Sequence, residues 1–134
     1  MVDPPPLVRP VEGPVASRFS YDRAAPFLPG RRRIVRFSSA AGARVAAPCA
    51  GRITHAGRVP GGRAVALRCG AWSVTLTGVA PGTARGRRVS AGVTVARATG
   101  PVGLGLRRAA DAFGYVDPLP LLRDGRPADP VVPL

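Results

Sequence analysis

Apolar and polar residues alternate in short runs along this chain, a period of two that points to strands with one buried face. Trp72-Ser73-Val74-Thr75-Leu76 is the plainest case, and Arg63–Cys69 and Val93–Arg97 share the pattern. No clear helical period of 3.6 competes with it. The runs predict strands at Val15–Phe19, Arg33–Phe37, Ala43–Ala46, Gly51–Gly57, Arg63–Cys69, Trp72–Leu76, Arg87–Val89, Val93–Arg97 and Val102–Arg107. A loop over residues 20–30 is broken by Pro26, Pro29 and Gly30. Val59-Pro60-Gly61-Gly62 fits a type II turn, with Pro presetting φ at the second position and Gly supplying positive φ at the third. Strands 51–57 and 63–69 should therefore form a hairpin. Turn signals recur about every ten residues, which predicts an all-β domain, either a sandwich or a strongly twisted antiparallel sheet.

Composition narrows this picture. With 134 residues, the chain is long enough for one domain with its own core. The folded part is expected over residues 14–122, behind a Pro-rich extended arm at 1–13 and ahead of a Pro-broken tail at 123–134 expected to be poorly ordered. The 17 Gly and 16 Pro leave little room for long helices. Hydrophobic residues reach 46%, but most are Ala and Val beside four Phe, two Tyr and one Trp, so a core of small and β-branched side chains is expected. No run approaches the roughly 20 apolar residues of a membrane-spanning helix, and MVDPPPLVRP has no apolar signal-peptide segment. Two expectations follow: the protein works in the cytoplasm, or it works outside it after a targeting segment has been removed.

Charge is the next constraint. The formal net charge is +13, and all 20 basic side chains counted with Lys and Arg are Arg. Arginine forks match carboxylate and phosphate bidentately, and clustered they attract anions. Codon usage in a GC-rich genome would raise Arg, Ala, Gly, Pro and Val together and explains the same numbers. An aromatic nucleic-acid-binding strand and a paired Cys/His finger are both missing, so charge alone does not name nucleic acid.

The segment Ala40-Ala41-Gly42-Ala43-Arg44-Val45-Ala46-Ala47-Pro48-Cys49-Ala50-Gly51-Arg52-Ile53 is followed by His55-Ala56-Gly57-Arg58-Val59, by Gly86-Arg87-Arg88-Val89-Ser90-Ala91-Gly92, and by Tyr115-Val116-Asp117-Pro118-Leu119. In that order and spacing these pieces resemble the lysostaphin-type (LytM-like) zinc peptidoglycan endopeptidases, particularly an actinobacterial secreted branch. The resemblance covers about Pro14 to Leu122. It implies a twisted antiparallel sheet crossed by a groove, an extracytoplasmic location, and peptidoglycan cross-bridges as substrate.

The resemblance also implies where the zinc ligands should stand, and there the chain departs. The first ligand pair, a His and an Asp four residues on, falls in register on Arg32 and Arg36. The late His-x-His motif falls on Pro101 and Gly103. Zinc hydrolysis needs three nitrogen, sulfur or carboxylate ligands, and an arginine offers only donors. The sole imidazole is His55, so no arrangement supplies two. It reads as a hairpin or surface side chain. A Ser nucleophile with His55 as base has no local signature among Ser17, Ser38, Ser39, Ser73 and Ser90. The acids stand mainly at the ends and in turns, and no catalytic pair is evident.

No catalytic residue, cofactor or metal is therefore assigned. If 32–36 and 101–107 are strands, Arg32 and Arg36 share a face, as do Gly103, Gly105 and Arg107; either a cationic groove takes the place of a zinc groove, or arginine has drifted into a dead site and extends into solvent. No polymer-binding row of aromatics is evident beside these arginines. Cys49 and Cys69 flank the hairpin and are either disulfide-bonded or two buried thiols; a disulfide would contribute roughly 3 kcal/mol and fit an oxidising compartment. The leading expectation is a pseudo-peptidase that binds peptidoglycan or another anionic cell-wall polymer, or regulates a cell-wall hydrolase. A basic nucleic-acid-binding β domain is the second expectation, and an active zinc endopeptidase the third.

Overall fold

The computed structural model describes residues 3–21 and 32–123. Its strands are β1 (Leu7–Val8), β2 (Val15–Ser17), β3 (Ile34–Phe37), β4 (Arg44–Ala46), β5 (Gly51–Val59), β6 (Gly62–Cys69), β7 (Trp72–Pro81), β8 (Arg88–Val89), β9 (Thr94–Arg108), β10 (Tyr115–Val116) and β11 (Leu122–Arg123). One 3-10 turn, Leu119–Leu121, precedes β11. Most of the loop expected at 20–30, with Pro26, Pro29 and Gly30, lies outside the described residues, as does the tail past Arg123.

Nine strands form one sheet in the order β2-β3-β9-β7-β6-β5-β8, with β4 and β10 also paired to β9. Its pairings are antiparallel, so the fold is all-β as the alternation predicts. The β5–β6 hairpin closes at Val59 and Gly62, and Gly61 takes φ +88° in the turn between them. A side chain there would be strained, which is why the turn needs glycine. A bulge between Ile53 and His55 keeps Ile53 in the core and sets His55 on the opposite face.

Two of the expected strands are one. Residues 93–97 and 102–107 belong to β9, whose first part pairs with β4 and whose second part pairs with β3. The gap between the two expected strands, which holds Gly100-Pro101, is absorbed by a bulge in β7 between Thr77 and Val79. Gly78 occupies that bulge at φ +73°, and a Cβ there would run into the Pro101 carbonyl oxygen. Proline lacks the N–H that a regular ladder would use, so the bulge stands where Pro101 can be tolerated.

Alternation separates the two faces. Trp72, Val74 and Leu76 of β7, Val65 and Leu67 of β6, and Val102, Leu104 and Leu106 of β9 are buried in one core cluster with Val35 and Phe37. The small residues expected to dominate are present, but Trp72 and Phe37 are the largest fully buried side chains. Burying either ring removes more apolar surface from water than any of the valines can.

The folded unit also begins before Pro14. Leu7 and Val11 belong to the core cluster, and β1 pairs in parallel with β11. Residues 3–13 form a strap on the core side: Val8 N donates to Pro48 O at 2.7 Å, and Ala46 N to Pro10 O at 2.9 Å. Trp72 Nε1 donates to Asp3 O at 3.2 Å, and the Arg9 guanidinium lies 4.8 Å from the Phe37 ring centroid. A Pro-rich segment suits this place because it can cover apolar side chains with few N–H groups left to satisfy.

Candidate functional site

The outward-facing residues are the other half of the alternation. Strand registers align Ile34, Gly105, Thr75, Ala66 and His55 in one row across β3, β9, β7, β6 and β5. The adjacent row runs Arg36, Gly103, Thr77, Ala64 and Gly57. At the β3 end of these rows lies a groove of about 470 Å³ lined by Ser17, Arg32, Arg33, Ile34, Arg36, Thr75, Thr77, Gly105 and Tyr115.

Each wall has a local cause. Ser17 of β2 stands opposite Arg36 of β3 after a register shift that follows Val15. Backbone bonds between Ser20 and Arg32, 2.9 and 3.2 Å long, extend the pairing of these two segments to Arg32. Arg32, Arg33 and Arg36 are all exposed. Arg33 packs its guanidinium 5.5 Å from the centroid of Tyr115, and Tyr21 meets Tyr115 edge-on at 5.3 Å. Phe19 adds a third ring 6.0 Å from Tyr21, while Tyr21 Oη donates to Phe113 O at 3.2 Å. An aromatic cluster therefore does accompany the arginines, contrary to the sequence expectation. Its members come from separate segments and share no spacing that a linear reading detects.

The groove also carries side-chain hydroxyls. Among the described residues, Ser17 Oγ and Thr77 Oγ1 are buried and find no hydrogen-bond partner. Leaving a buried hydroxyl unsatisfied costs about 1–3 kcal/mol, and either group can donate or accept. No acid occurs anywhere from Arg23 to Ala110 in the sequence, so the sheet segments that form the floor bring none. Among the described residues, none of the lining side chains is a His, Cys, Asp or Glu, and zinc does not fit this donor set.

The expected site residues divide. Arg32 and Arg36 come together in the groove. Gly103 lies beneath it, where a Cβ would strike Thr77 Oγ1 and approach Ile34 Cδ1 to 2.8 Å. Pro101 is exposed beside the Gly78 bulge, and Gly103 and Gly105 stand opposite Arg36 and Ile34 of β3. Arg107 shares their face, but its Nη1 donates to the carbonyls of Arg108, Ala109 and Asp111 at 3.0, 3.3 and 3.0 Å. It supports the turn before β10 and is not among the groove-lining residues. His55 is exposed two strands from β7, with Nε2 3.0 Å from Arg58 O. Cys49 and Cys69 are joined as a disulfide, with Cα atoms 6.3 Å apart at the base of the β5–β6 hairpin.

No protein-family model and no curated protein matches the chain. Solved structures do. Part of Helicobacter pylori Csd3 superposes with a TM-score of 0.71 at 23% identity, covering 87% of this chain and 34% of that one. The present chain thus spans about a third of the Csd3 chain it matches. The catalytic domain of the antimicrobial peptidase lysostaphin from Staphylococcus simulans gives 0.63 at 21% identity, covering 77% and 86% of the two chains. The catalytic domain of the prophage-encoded M23 protein EnpA from Enterococcus faecalis, in a mutant form, gives 0.66 at 17% identity, covering 82% and 94%. At these identities the likeness is one of fold, and the fold is that of the M23 peptidase domains.

Proposed function

We propose that this chain is a non-catalytic, peptidase-like module that binds cell-wall peptide in its groove, outside the cytoplasm, and so tethers or regulates a wall hydrolase. The observation that carries the reading is the lining of the groove. In a fold shared with peptidase domains, the positions that the resemblance assigns to the first zinc ligands are Arg32 and Arg36, and the groove-facing positions of β9 are glycines. Guanidinium groups and unpartnered hydroxyls hold carboxylates and peptide carbonyls by hydrogen bonding; they do not hold zinc. The Tyr115 cluster supplies an apolar wall for the same ligand. The Cys49–Cys69 disulfide supports an oxidising compartment.

The test is retention of the protein on insoluble peptidoglycan at graded salt, comparing wild type with an R32A/R33A/R36A variant. Arg107 is left intact because its guanidinium braces a turn. The variant is expected to lose at least about tenfold in retention, one tenfold step being 1.4 kcal/mol of lost interaction. Unchanged retention would overturn the groove as the binding site. Elemental analysis of the purified protein after equilibration with zinc addresses the other half: stoichiometric metal, with peptide released from the wall, would show an active peptidase.

A further inference from the structure

A second cationic feature lies on the same outer face, away from the groove. Arg52 of β5 stands directly opposite Arg68 of β6 on one side and Arg88 of β8 on the other. All three are exposed, and the row continues through Ser73 of β7 to Arg107 of β9. Like charges directly opposite each other on neighbouring strands destabilise a sheet. None of the described strands β5, β6, β7, β8 and β9 carries an acid to offset them. Arg68 Nε donates to Gly70 O at 2.7 Å, which leaves its two terminal nitrogens for another partner. Three guanidinium groups thus stand abreast on strands about 4.8 Å apart, an arrangement that an external polyanion would stabilise.

The geometry points to a binding track for a linear phosphate-bearing polymer without bases, crossing β8, β5 and β6 at the Arg88–Arg52–Arg68 row. Successive phosphates on a flexible chain can each take an arginine fork, and the row direction sets the path of the chain across the strands. A nucleic acid fits less well. Single-stranded nucleic acids are held by aromatic platforms as well as charge, and β5, β6 and β8 contain no Phe, Tyr or Trp. The track is independent of the groove and of the proposal made for it.

The experiment measures binding of the purified chain to long-chain inorganic polyphosphate over a salt series. R52Q/R68Q/R88Q is compared with R18Q/R97Q/R123Q, a charge-matched control whose three arginines are exposed elsewhere. The track variant is expected to bind at least tenfold more weakly than the control. Its slope of log K against log salt should flatten by roughly 2, at about 0.7 for each phosphate no longer neutralised. Its melting temperature should be no lower than wild type, because opposed like charges have been removed. Equal losses in both variants would overturn the track and leave only diffuse charge. Binding to oligo(dT) of matched charge as tight as to polyphosphate would overturn the polymer class in favour of nucleic acid. Wild-type polyphosphate binding together with failed peptidoglycan retention would leave the track standing and remove only the groove proposal.

Discussion

Gly103 and Gly105 look interchangeable in sequence, but their surroundings differ. A Cβ on Gly103 would collide with Thr77 Oγ1 and crowd Ile34, whereas one on Gly105 would meet only Ile34 Cγ2 at 3.0 Å. Both contact atoms sit on β-branched carbons and move only with χ1, so distance decides: the Gly103 contact forces a shift, while the one at Gly105 needs a few tenths of an ångström. Gly103→Ala is therefore expected to cost about 1–3 kcal/mol as an overpacking change, with Gly105→Ala within about 1 kcal/mol of wild type. Urea unfolding of the two variants checks this, and equal costs would show that Thr77 yields. The arginines at 32 and 36 were legible from register alone. Ser17, Thr77 and Tyr115 were not, because residues far apart in the chain meet in the groove only after β2, β3, β7, β9 and β10 pair. Arg107 misled for a related reason: its face follows from alternation, but its guanidinium is claimed by carbonyls of a turn that no periodicity announces.

Among the elements, the hairpin of β5 and β6 was the most readable, because Pro60 and Gly61 encode their turn locally. Its base is closed by the Cys49–Cys69 disulfide, with a sequence separation of 20. In the chain-entropy model a loop of that size stabilises by roughly 3 kcal/mol, so Cys49→Ala/Cys69→Ala should lower the unfolding free energy by about that amount. Urea midpoints measured for the double variant decide the matter; a change below about 1 kcal/mol would mean that the hairpin is already closed in the unfolded ensemble. The long strand β9 was the least readable. Gly100-Pro101 is a strong local stop signal, and what overrides it is Gly78, which meets Pro101 only across the sheet.

For the molecule as a whole, the N-terminal strap changes the accounting. Composition marked residues 1–13 as an arm, since proline content reports extended backbone and says nothing of what lies beneath. Leu7 is fully buried and Val11 is 5% exposed, so the strap closes the core over Trp72 and Phe37. Leu7→Ala is expected to cost about 2–5 kcal/mol and to shift a single cooperative transition. Measured by thermal and urea unfolding with coincident probes, an early separate phase would show instead that the strap peels off on its own.

The interleaving of Trp72, Val74 and Leu76 with Ser73, Thr75 and Thr77 on one strand has a further consequence. Odd and even positions answer to different demands, one set to the interior and the other to whatever lies against the sheet. Ligand preference can then be rewritten at Thr75 or Arg68 while the packing beneath stays as it was. Such a plate lends itself to library screening: randomising its exposed outward positions, with Gly103 kept, would sample new recognition surfaces on an unchanged scaffold.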